Sequence, residues 1–366
     1  MNEKALDNKC PSCGAPLLFK PKSNKWECDH CKSSFTLEEL KKFNNASSDE
    51  NNKKEEVKDE PKAVKKEVKD NTVYVTYNCK NCGAEIIADE QTASTFCVYC
   101  GNTAILKSKL SGKFSPSKII PFKKEKEDAI EAFKSISKGR PLMPKFFNDP
   151  KNIEKISGVY IPFWLYDINV DGSIIVKCTN VSSWRSGNMT YVKTDIYHEH
   201  REGSINYNRI PVDGSTRFPD DIMNSIEPFN YDEMVDYNHA YLSGFLAEKY
   251  NVEGEEPLKI ASDRAVNSTR NAFLGDVPMY NSKHIIAEEL TPTKKNLEYV
   301  LLPVWMVTIK FNNKYYTFAQ NAQTGEFVGN IPIDAKRVVL YSILVFIISV
   351  IVAFLLSLAF FYFGGN

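Results

Sequence analysis

The sequence predicts an α+β protein with two small zinc ribbons, an α+β domain that carries a candidate internal duplication, and one C-terminal transmembrane helix. Three observations predict this organisation: four Cys-x-x-Cys pairs near the start, a middle region that mixes strand-like and helix-like periodicity, and an uncharged apolar run near the end. The predicted units are ribbon 1 at 1–40, a charged flexible linker at 41–72, ribbon 2 at 73–110, the α+β domain at 111–335 and the anchor at 336–366.

The cysteine pairs form a repeat, and this repeat predicts two metal sites. In each copy, fourteen residues separate the two pairs. Each knuckle places two sulfurs around one metal, and two knuckles complete the tetrahedron of thiolates that Zn²⁺ accepts in structural sites. We therefore expect two bound zinc ions. The expected ligands are Cys10, Cys13, Cys28 and Cys31 in ribbon 1, and Cys79, Cys82, Cys97 and Cys100 in ribbon 2.

Other roles for these cysteines fit the pattern less well. Redox-active dithiols are disfavoured because the pairs come two by two at ribbon spacing. Disulfides are disfavoured because no signal-peptide pattern opens the chain. His30 lies inside a knuckle, but four cysteines already fill that site. Because a closed four-thiolate site leaves no position for water or substrate, both sites are expected to be structural rather than catalytic.

Charge is distributed unevenly along the chain although its formal net charge is zero. The linker is dominated by Lys, Glu, Asp and Asn and has no aromatic residue after Phe43, so it cannot bury enough apolar surface to fold. We expect it to let ribbon 1 search for partners well beyond ribbon 2. Ribbon 1 is also locally basic near Trp26 and Phe35, which makes it the alternative nucleic-acid surface. Its lysines are Lys20, Lys22, Lys25 and Lys32.

Periodicity predicts the elements of the middle region. Apolar residues at helical spacing predict three helices, and β-branched, alternating runs predict strands. Paired polar residues at 312–313 predict a hairpin turn. The predicted helices are 125–137, 232–250 and 255–273, and the predicted strands are 173–178, 189–197, 299–310 and 314–319.

A second, weaker repeat lies inside this region. The motif 160–165, which contains Trp164, resembles the motif 301–306, which contains Trp305. Each motif follows a Ser-Lys segment with paired isoleucines, at 117–120 and at 282–286. The pattern indicates either two related α+β halves or one sheet with equivalent strands. We expect both tryptophans to occupy equivalent, largely buried positions at strand starts.

Sequence signals for catalysis are weak. The chain has no Gly-x-x-x-x-Gly-Lys-Ser/Thr loop, no Gly-x-Ser-x-Gly elbow and no His-Glu-x-x-His motif, so we expect no enzymatic activity. His198 and His200 would face the same side of a strand, yet they lack a third ligand, and a surface position is favoured over a metal site. Cys178 ends an apolar run and is expected to be a small buried apolar residue. A hydrolase or transferase hidden in the α+β domain is the third alternative.

The apolar run Val338 to Phe363 predicts a membrane span. It contains no charged residue, and at ~1.5 Å per residue a helix of this length crosses a ~30 Å hydrocarbon core. Tyr341 and Tyr362 lie where interfacial anchors are expected. Because positive charge precedes the run at Lys336 and Arg337, the positive-inside rule predicts that the N-terminal bulk is cytoplasmic.

The motifs together resemble a family of bacterial membrane-anchored proteins described as TFIIB-type zinc-ribbon proteins, some of which are labelled primosomal-helicase-like because of the ribbon alone. The absence of a phosphate loop here contradicts the helicase label. The resemblance covers nearly the whole chain and implies a single-pass protein of the bacterial cell membrane. Some relatives resemble recruiters of phage-shock and flotillin-like proteins, which implies partners in the envelope-stress response. The matching motifs are both ribbons and the segments 119–122, 158–164, 241–245, 302–305 and 324–325.

The expected function is therefore that of a tail-anchored adaptor, which uses its ribbons to bring cytosolic or membrane-associated proteins to the lipid bilayer. The alternative is a membrane-tethered nucleic-acid-binding protein that uses ribbon 1. An adaptor should expose apolar or aromatic patches, whereas a nucleic-acid binder should show affinity that depends steeply on salt.

Overall fold

A computed structural model describes residues 9–49 except 16, the strands 75–79, 85–88 and 105–109, residues 116–144 except 139, residues 149, 153 and 155–311, and residues 314–363. The predicted α+β class is confirmed. The strands are β1 Leu17–Lys20, β2 Lys25–Cys28, β3 Ser34–Phe35, β4 Val75–Cys79, β5 Glu85–Ala88, β6 Ile105–Lys109, β7 Lys118–Ile119, β8 Ser157–Ser186, β9 Met189–Asp213, β10 Val235–Asp236, β11 Leu246–Glu248, β12 Ser282–Phe311, β13 Lys314–Asn321 and β14 Phe327–Gly329. The helices are α1 Leu37–Asp49, α2 Lys126–Ser137, α3 Asp220–Ser225, α4 Leu258–Gly275 and α5 Ala335–Phe363.

Ribbon 1 folds as a small antiparallel sheet in the order β1-β2-β3, followed by α1. A capping box begins the helix, since the Thr36 amide donates to the Glu39 carboxylate and the Glu39 amide donates to the Thr36 hydroxyl. The helix continues through Asp49 and so includes the first residues of the segment predicted as a linker.

The other strands form one sheet in the order β10-β7-β12-β8-β11-β5-β4-β6, with β9 added to β8 and β13–β14 added to β12. Strands β8 and β12 are antiparallel neighbours at its centre. The three strands of the ribbon 2 region join this sheet because Ala247 of β11 pairs with Ile87 of β5. The described strands of the ribbon 2 region therefore continue the main sheet.

The domain is built from two β-α-β-β units of the same topology. In the first unit, β7 leads through α2 to the β8–β9 hairpin, and in the second, β11 leads through α4 to the β12–β13 hairpin. Each short first strand pairs in parallel with the long strand of the other unit, β7 with β12 and β11 with β8. The two units are therefore related by an approximate two-fold axis. The expected equivalence of 117–120 with 282–286 is wrong, because the pairing makes β11 the counterpart of β7.

Both tryptophans of the inner repeat occupy corresponding positions. The Trp305 indole donates to the Lys124 carbonyl at 2.9 Å, and the Trp164 indole donates to the Val252 carbonyl at 3.0 Å. These carbonyls follow β7 and β11 at similar distances along the chain. Trp305 is buried whereas Trp164 is half-buried, and both lie inside long strands instead of at strand starts.

The long strands β8, β9 and β12 extend beyond the core as a three-stranded arm. Helix α4 covers one face of it through Ala261, Ala265, Thr269 and Phe273, which recur every four residues. The arm residues packed near Phe273 are Ile174, Val176 and Cys178. Beyond Cys178 the hairpin continues to a turn at Gly187, whose φ of +62° suits glycine.

The predicted helix at 232–250 is wrong. This segment forms two single-turn 3-10 helices at Tyr231–Glu233 and His239–Leu242, and two short stretches of it join the sheet as β10 and β11. Gly244 has a φ of +87°, which interrupts any helix there. Pairing of β11 with two neighbouring strands satisfies the backbone better than an isolated helix would, so tertiary contacts override the helical periodicity.

The other predicted elements are confirmed within a few residues. The helix at 125–137 is α2, with Glu125 as its N-cap, and the helix at 255–273 is α4. The predicted strands lie within β8, β9, β12 and β13. Helix α5 is apolar on all sides, and its Ala335–Leu358 part is long and apolar enough to cross a membrane.

Candidate metal centre

The four cysteines of ribbon 1 converge at one point. The sulfurs of Cys10 and Cys31 lie 3.5 Å apart, as do those of Cys13 and Cys28, and all four lie within 4.8 Å of one another. Thiolates arranged tetrahedrally at ~2.3 Å from zinc are separated by about 3.8 Å, so this set fits one Zn²⁺ ion. The structure therefore forms a candidate four-thiolate metal site at the positions predicted for ribbon 1.

Two matching turns bring these sulfurs together. The Gly14 amide donates to the Cys10 carbonyl at 2.8 Å, and the Lys32 amide donates to the Cys28 carbonyl at 2.8 Å. The residue after each knuckle has a left-handed conformation, with φ of +74° at Gly14 and +60° at Lys32. Glycine adopts this conformation at no steric cost, whereas Lys32 adopts it with some strain. The two turns are thus alike although only the first contains glycine.

The surroundings shift the pKa values of two of the thiols in opposite directions. The Ser33 hydroxyl and amide lower the pKa of Cys31 to about 6 and so favour its thiolate. The Ala15 amide lowers the pKa of Cys13, but desolvation and the neighbouring thiols outweigh it and raise that pKa to about 12. Four adjacent thiolates repel one another unless a cation lies between them. A zinc ion would supply this charge and cross-link the ribbon.

The second predicted site is described only in part. Cys79 is the last residue of β4, and β5 lies between the two cysteine pairs of ribbon 2 in the chain. The other predicted ligands, Cys82, Cys97 and Cys100, lie outside the described residues.

Ribbon 1 is packed against the main domain and is not a freely moving module. The Trp26 indole is 1% exposed and donates to the Ala240 carbonyl at 2.7 Å. Phe19 packs edge-on against Tyr241, with ring centroids 5.3 Å apart, and its amide donates to the Ser243 carbonyl at 3.2 Å. This corrects the expectation that ribbon 1 searches independently. The sequence signal that could have predicted docking is the concentration of large apolar side chains in this small ribbon, since Leu17, Phe19 and Trp26 are all buried.

The predicted basic-aromatic face does not form as a unit. Trp26 points into the domain, and Lys22 forms ion pairs with Glu125 at 3.0 Å and Asp128 at 3.7 Å. These contacts bind ribbon 1 to the start of α2. Trp26 is therefore not free to stack on a base, and two carboxylates offset the charge of Lys22.

No family model matches the chain, and no solved structure matches it. The chain is similar to the uncharacterized protein YdjG of Bacillus subtilis (strain 168), with 33% identity over 315 residues. The match covers 73% of this chain and 92% of YdjG. The chain belongs to the YdjG family. The likeness to YdjG extends over almost the whole relative, but an uncharacterized protein assigns no activity.

Two further sequence candidates lie on the arm. Cys178 is fully buried, as predicted, and desolvation raises the pKa of its thiol. His198 and His200 lie on one face of β9 and are exposed, opposite Lys177 and Ile175 of β8. Within the described part of the chain, the ribbon 1 cysteines are the one cluster of three or more His, Cys, Asp or Glu side chains arranged to share a metal.

A feature that sequence reasoning missed is the surface at the end of the arm. Here α4 has ended, and large apolar side chains on both faces of the hairpin are between 42% and 65% exposed. Trp184 and Tyr191 stack on each other at 5.7 Å without becoming buried. We call this set the tip surface: Val181, Trp184, Met189, Tyr191, Val192, Ile196 and Tyr197.

Proposed function

We propose that this protein is a tail-anchored adaptor that recruits a protein partner to the cytoplasmic face of the membrane. The tip surface carries the proposal. Among the described residues outside α5, it holds seven of the fourteen exposed large apolar side chains. A soluble domain rarely concentrates apolar side chains in this way unless they contact another molecule.

The two surfaces that an adaptor would use lie far apart. The tip surface is at the far end of β8 and β9, whereas α5 follows β14 at the opposite end of the sheet. Along β12, 22 residues (304 − 282) separate Val304, where pairing with β13 begins, from Ser282, which lies nearest the tip. This interval corresponds to as much as ~73 Å at ~3.3 Å per residue. A partner held at the tip would therefore be kept at the membrane without competing with the anchor for space.

In this proposal the metal centre has a structural role. Its four thiolates would complete the coordination of zinc, and ribbon 1 would then buttress the domain beside Tyr241 and Phe245 instead of capturing the partner itself. The phage-shock and flotillin-like proteins implied by the resemblance are the partner classes to test first. The nucleic-acid alternative has less support, because Trp26, one of the two aromatic residues of its surface, is buried.

The experiment follows a copurified partner in cells. The chain is purified from detergent-solubilised membranes, the partner is identified by mass spectrometry, and both are tagged for microscopy. The double variant Trp184→Ser/Tyr191→Ser should remain at the membrane but lose the partner. Ile260→Ser, which removes an exposed apolar side chain from α4, should retain it. Deletion of 338–363 should release chain and partner together. A partner that stays at the membrane without the anchor would defeat the proposal.

Topology is tested separately. A truncation ending at Asp334 should be soluble, and protease added outside intact cells should leave the domain uncut. Cleavage of the ribbons in that assay would show the reverse orientation.

A further inference from the structure

The start of α5 is fastened to a loop of the domain. The Arg337 guanidinium donates through Nη1 to the Pro141 carbonyl at 3.1 Å and to the Met143 carbonyl at 2.7 Å. The Asp334 amide donates to the Leu142 carbonyl at 2.9 Å, and the Asp334 carbonyl accepts from the Val338 amide. Three consecutive residues of one loop thus contact Asp334 and Arg337, which flank the start of the apolar helix. We call this arrangement the anchor clamp.

The clamp fixes the depth of the loop relative to a bilayer. Arg337 is the last charged residue before the uncharged segment 338–363. A guanidinium is strongly disfavoured in hydrocarbon, so Arg337 must lie at the level of the lipid headgroups when α5 spans a membrane. The carbonyls of Pro141 and Met143, which it contacts, must lie at the same level. The loop is therefore held against the membrane surface by the anchor itself.

The side chains around the clamp suit an anionic surface. Lys138, Arg140 and Lys336 are exposed, and Asp334 lies 3.8 Å from Arg337, which offsets its charge. Ile333, immediately before the helix, is 67% exposed. An apolar side chain among several cations is the composition expected of a segment that lies in the headgroup region.

We propose that Lys138, Arg140, Lys336 and Ile333 form a contact surface for anionic phospholipid headgroups, which Arg337 positions and which orients the domain on the bilayer. The inference rests on the proposed membrane anchoring by α5. It does not depend on the identity of any protein partner. The surface is continuous with the membrane span, and its positive charge complements an anionic leaflet.

The test uses the full chain in nanodiscs of phosphatidylcholine alone or with phosphatidylglycerol, followed by hydrogen exchange. Peptides containing Arg140 and Ile333 should be more protected when phosphatidylglycerol is present. Lys138→Gln/Arg140→Gln should reduce that protection about fivefold for each charge removed, given roughly 1 kcal/mol per cation near an anionic surface. The matched control Lys177→Gln/Lys193→Gln, which removes two exposed cations of the arm, should leave it unchanged.

A second readout measures depth. The indole introduced by Ile333→Trp should be quenched by brominated phospholipid, whereas the native Trp184 at the tip surface should not be. Arg337→Lys, which keeps the charge but loses the planar fork, should increase exchange near Arg140 while the chain stays in the nanodisc. Equal protection in both lipids, together with no quenching of the introduced indole, would overturn the inference even if the partner assay succeeded. The two proposals can therefore fail independently.

Discussion

Ile161 and Leu302 lie directly opposite each other in antiparallel strands at the centre of the main sheet, and they occupy the same position of two similar motifs. The interval between them is 141 residues (302 − 161). On one side of this pair, Trp164 faces Tyr299, and on the other, Trp305 faces Gly158. Each tryptophan is thus related to the other by rotation about the Ile161–Leu302 pair.

The same interval relates the hairpins. Pairing between β8 and β9 begins at Phe163 and Asp213, and pairing between β12 and β13 begins at Val304 and Asn321. Phe163 and Val304 are again equivalent positions. The hairpin of the first unit continues into the arm, whereas that of the second is short. The tip surface is therefore an elaboration of one copy of a duplicated unit, which is where a new binding function would be expected.

We predict that purified protein contains two zinc ions per chain and that Cys13→Ser removes one of them. Loss of one thiolate leaves an incomplete site with much weaker affinity for zinc. Elemental analysis measures the stoichiometry, with Cys178→Ala as the control because Cys178 is buried in β8 and is not part of the cysteine cluster. Fewer than one zinc per chain would contradict the prediction.

Docking of ribbon 1 should couple the metal site to the domain. Removing zinc should increase hydrogen exchange at Ala240 and Phe245 as well as within the ribbon, because Trp26 and Phe19 bind that loop. Trp26→Ala should lower the free energy of unfolding by about 3–5 kcal/mol. Trp184→Ala, which removes an exposed tryptophan from a cross-strand pair, should cost at most ~1 kcal/mol. Unchanged exchange in the loop would show that the ribbon is held independently.

A close backbone approach in the arm should make Gly172 irreplaceable. Its φ is +148°, and an added Cβ would lie 1.8 Å from the Glu289 carbonyl oxygen. Gly172→Ala should therefore disrupt pairing between β8 and β12 and expose the arm to protease. The matched control is Gly203→Ala on the neighbouring strand, where the nearest atom would be Phe273 at 3.7 Å, an ordinary contact. Equal protease resistance of the two variants would refute this account.

Trp305 should contribute more to stability than its counterpart Trp164. Trp305 packs against Phe122 and Phe245 and is 7% exposed, whereas Trp164 is half-buried. We expect Trp305→Ala to cost about 3–5 kcal/mol and Trp164→Ala to cost less. Chemical denaturation of the full chain in detergent measures both. A larger effect at Trp164 would contradict the packing argument.

Glu227 should make stability depend on pH. Burial raises its pKa to about 7, although Arg264, at 3.5 Å, acts in the opposite direction. Because the folded-state pKa exceeds the unfolded value, Glu227 stabilises the fold fully below about pH 4.5 and loses this contribution as pH rises through 7. The slope is at most about 1.4 kcal/mol per pH unit and is reduced by solvent screening. The stability of Glu227→Gln, measured by thermal unfolding, should lack this dependence on pH. An unchanged slope would show that another group causes it.

The sequence by itself determined the features that depend on local spacing. Cysteine pairs at ribbon spacing located the Cys10–Cys31 site, because a knuckle needs only neighbouring residues and one turn. An uncharged run identified α5, and helical periodicity located α2 and α4. The similarity of two short motifs predicted the duplication, because equivalent strands need the same residues around Trp164 and Trp305.

Only the tertiary structure decided what depends on contacts between distant residues. The partner of Trp26 is the carbonyl of Ala240, and a backbone carbonyl leaves no sequence signal. The segment 232–250 has helical periodicity but becomes part of the sheet, because β11 gains hydrogen bonds from two strands. The tip surface is exposed because α4 ends before it, and this follows from how far a helix extends along a strand, not from the composition of the strand.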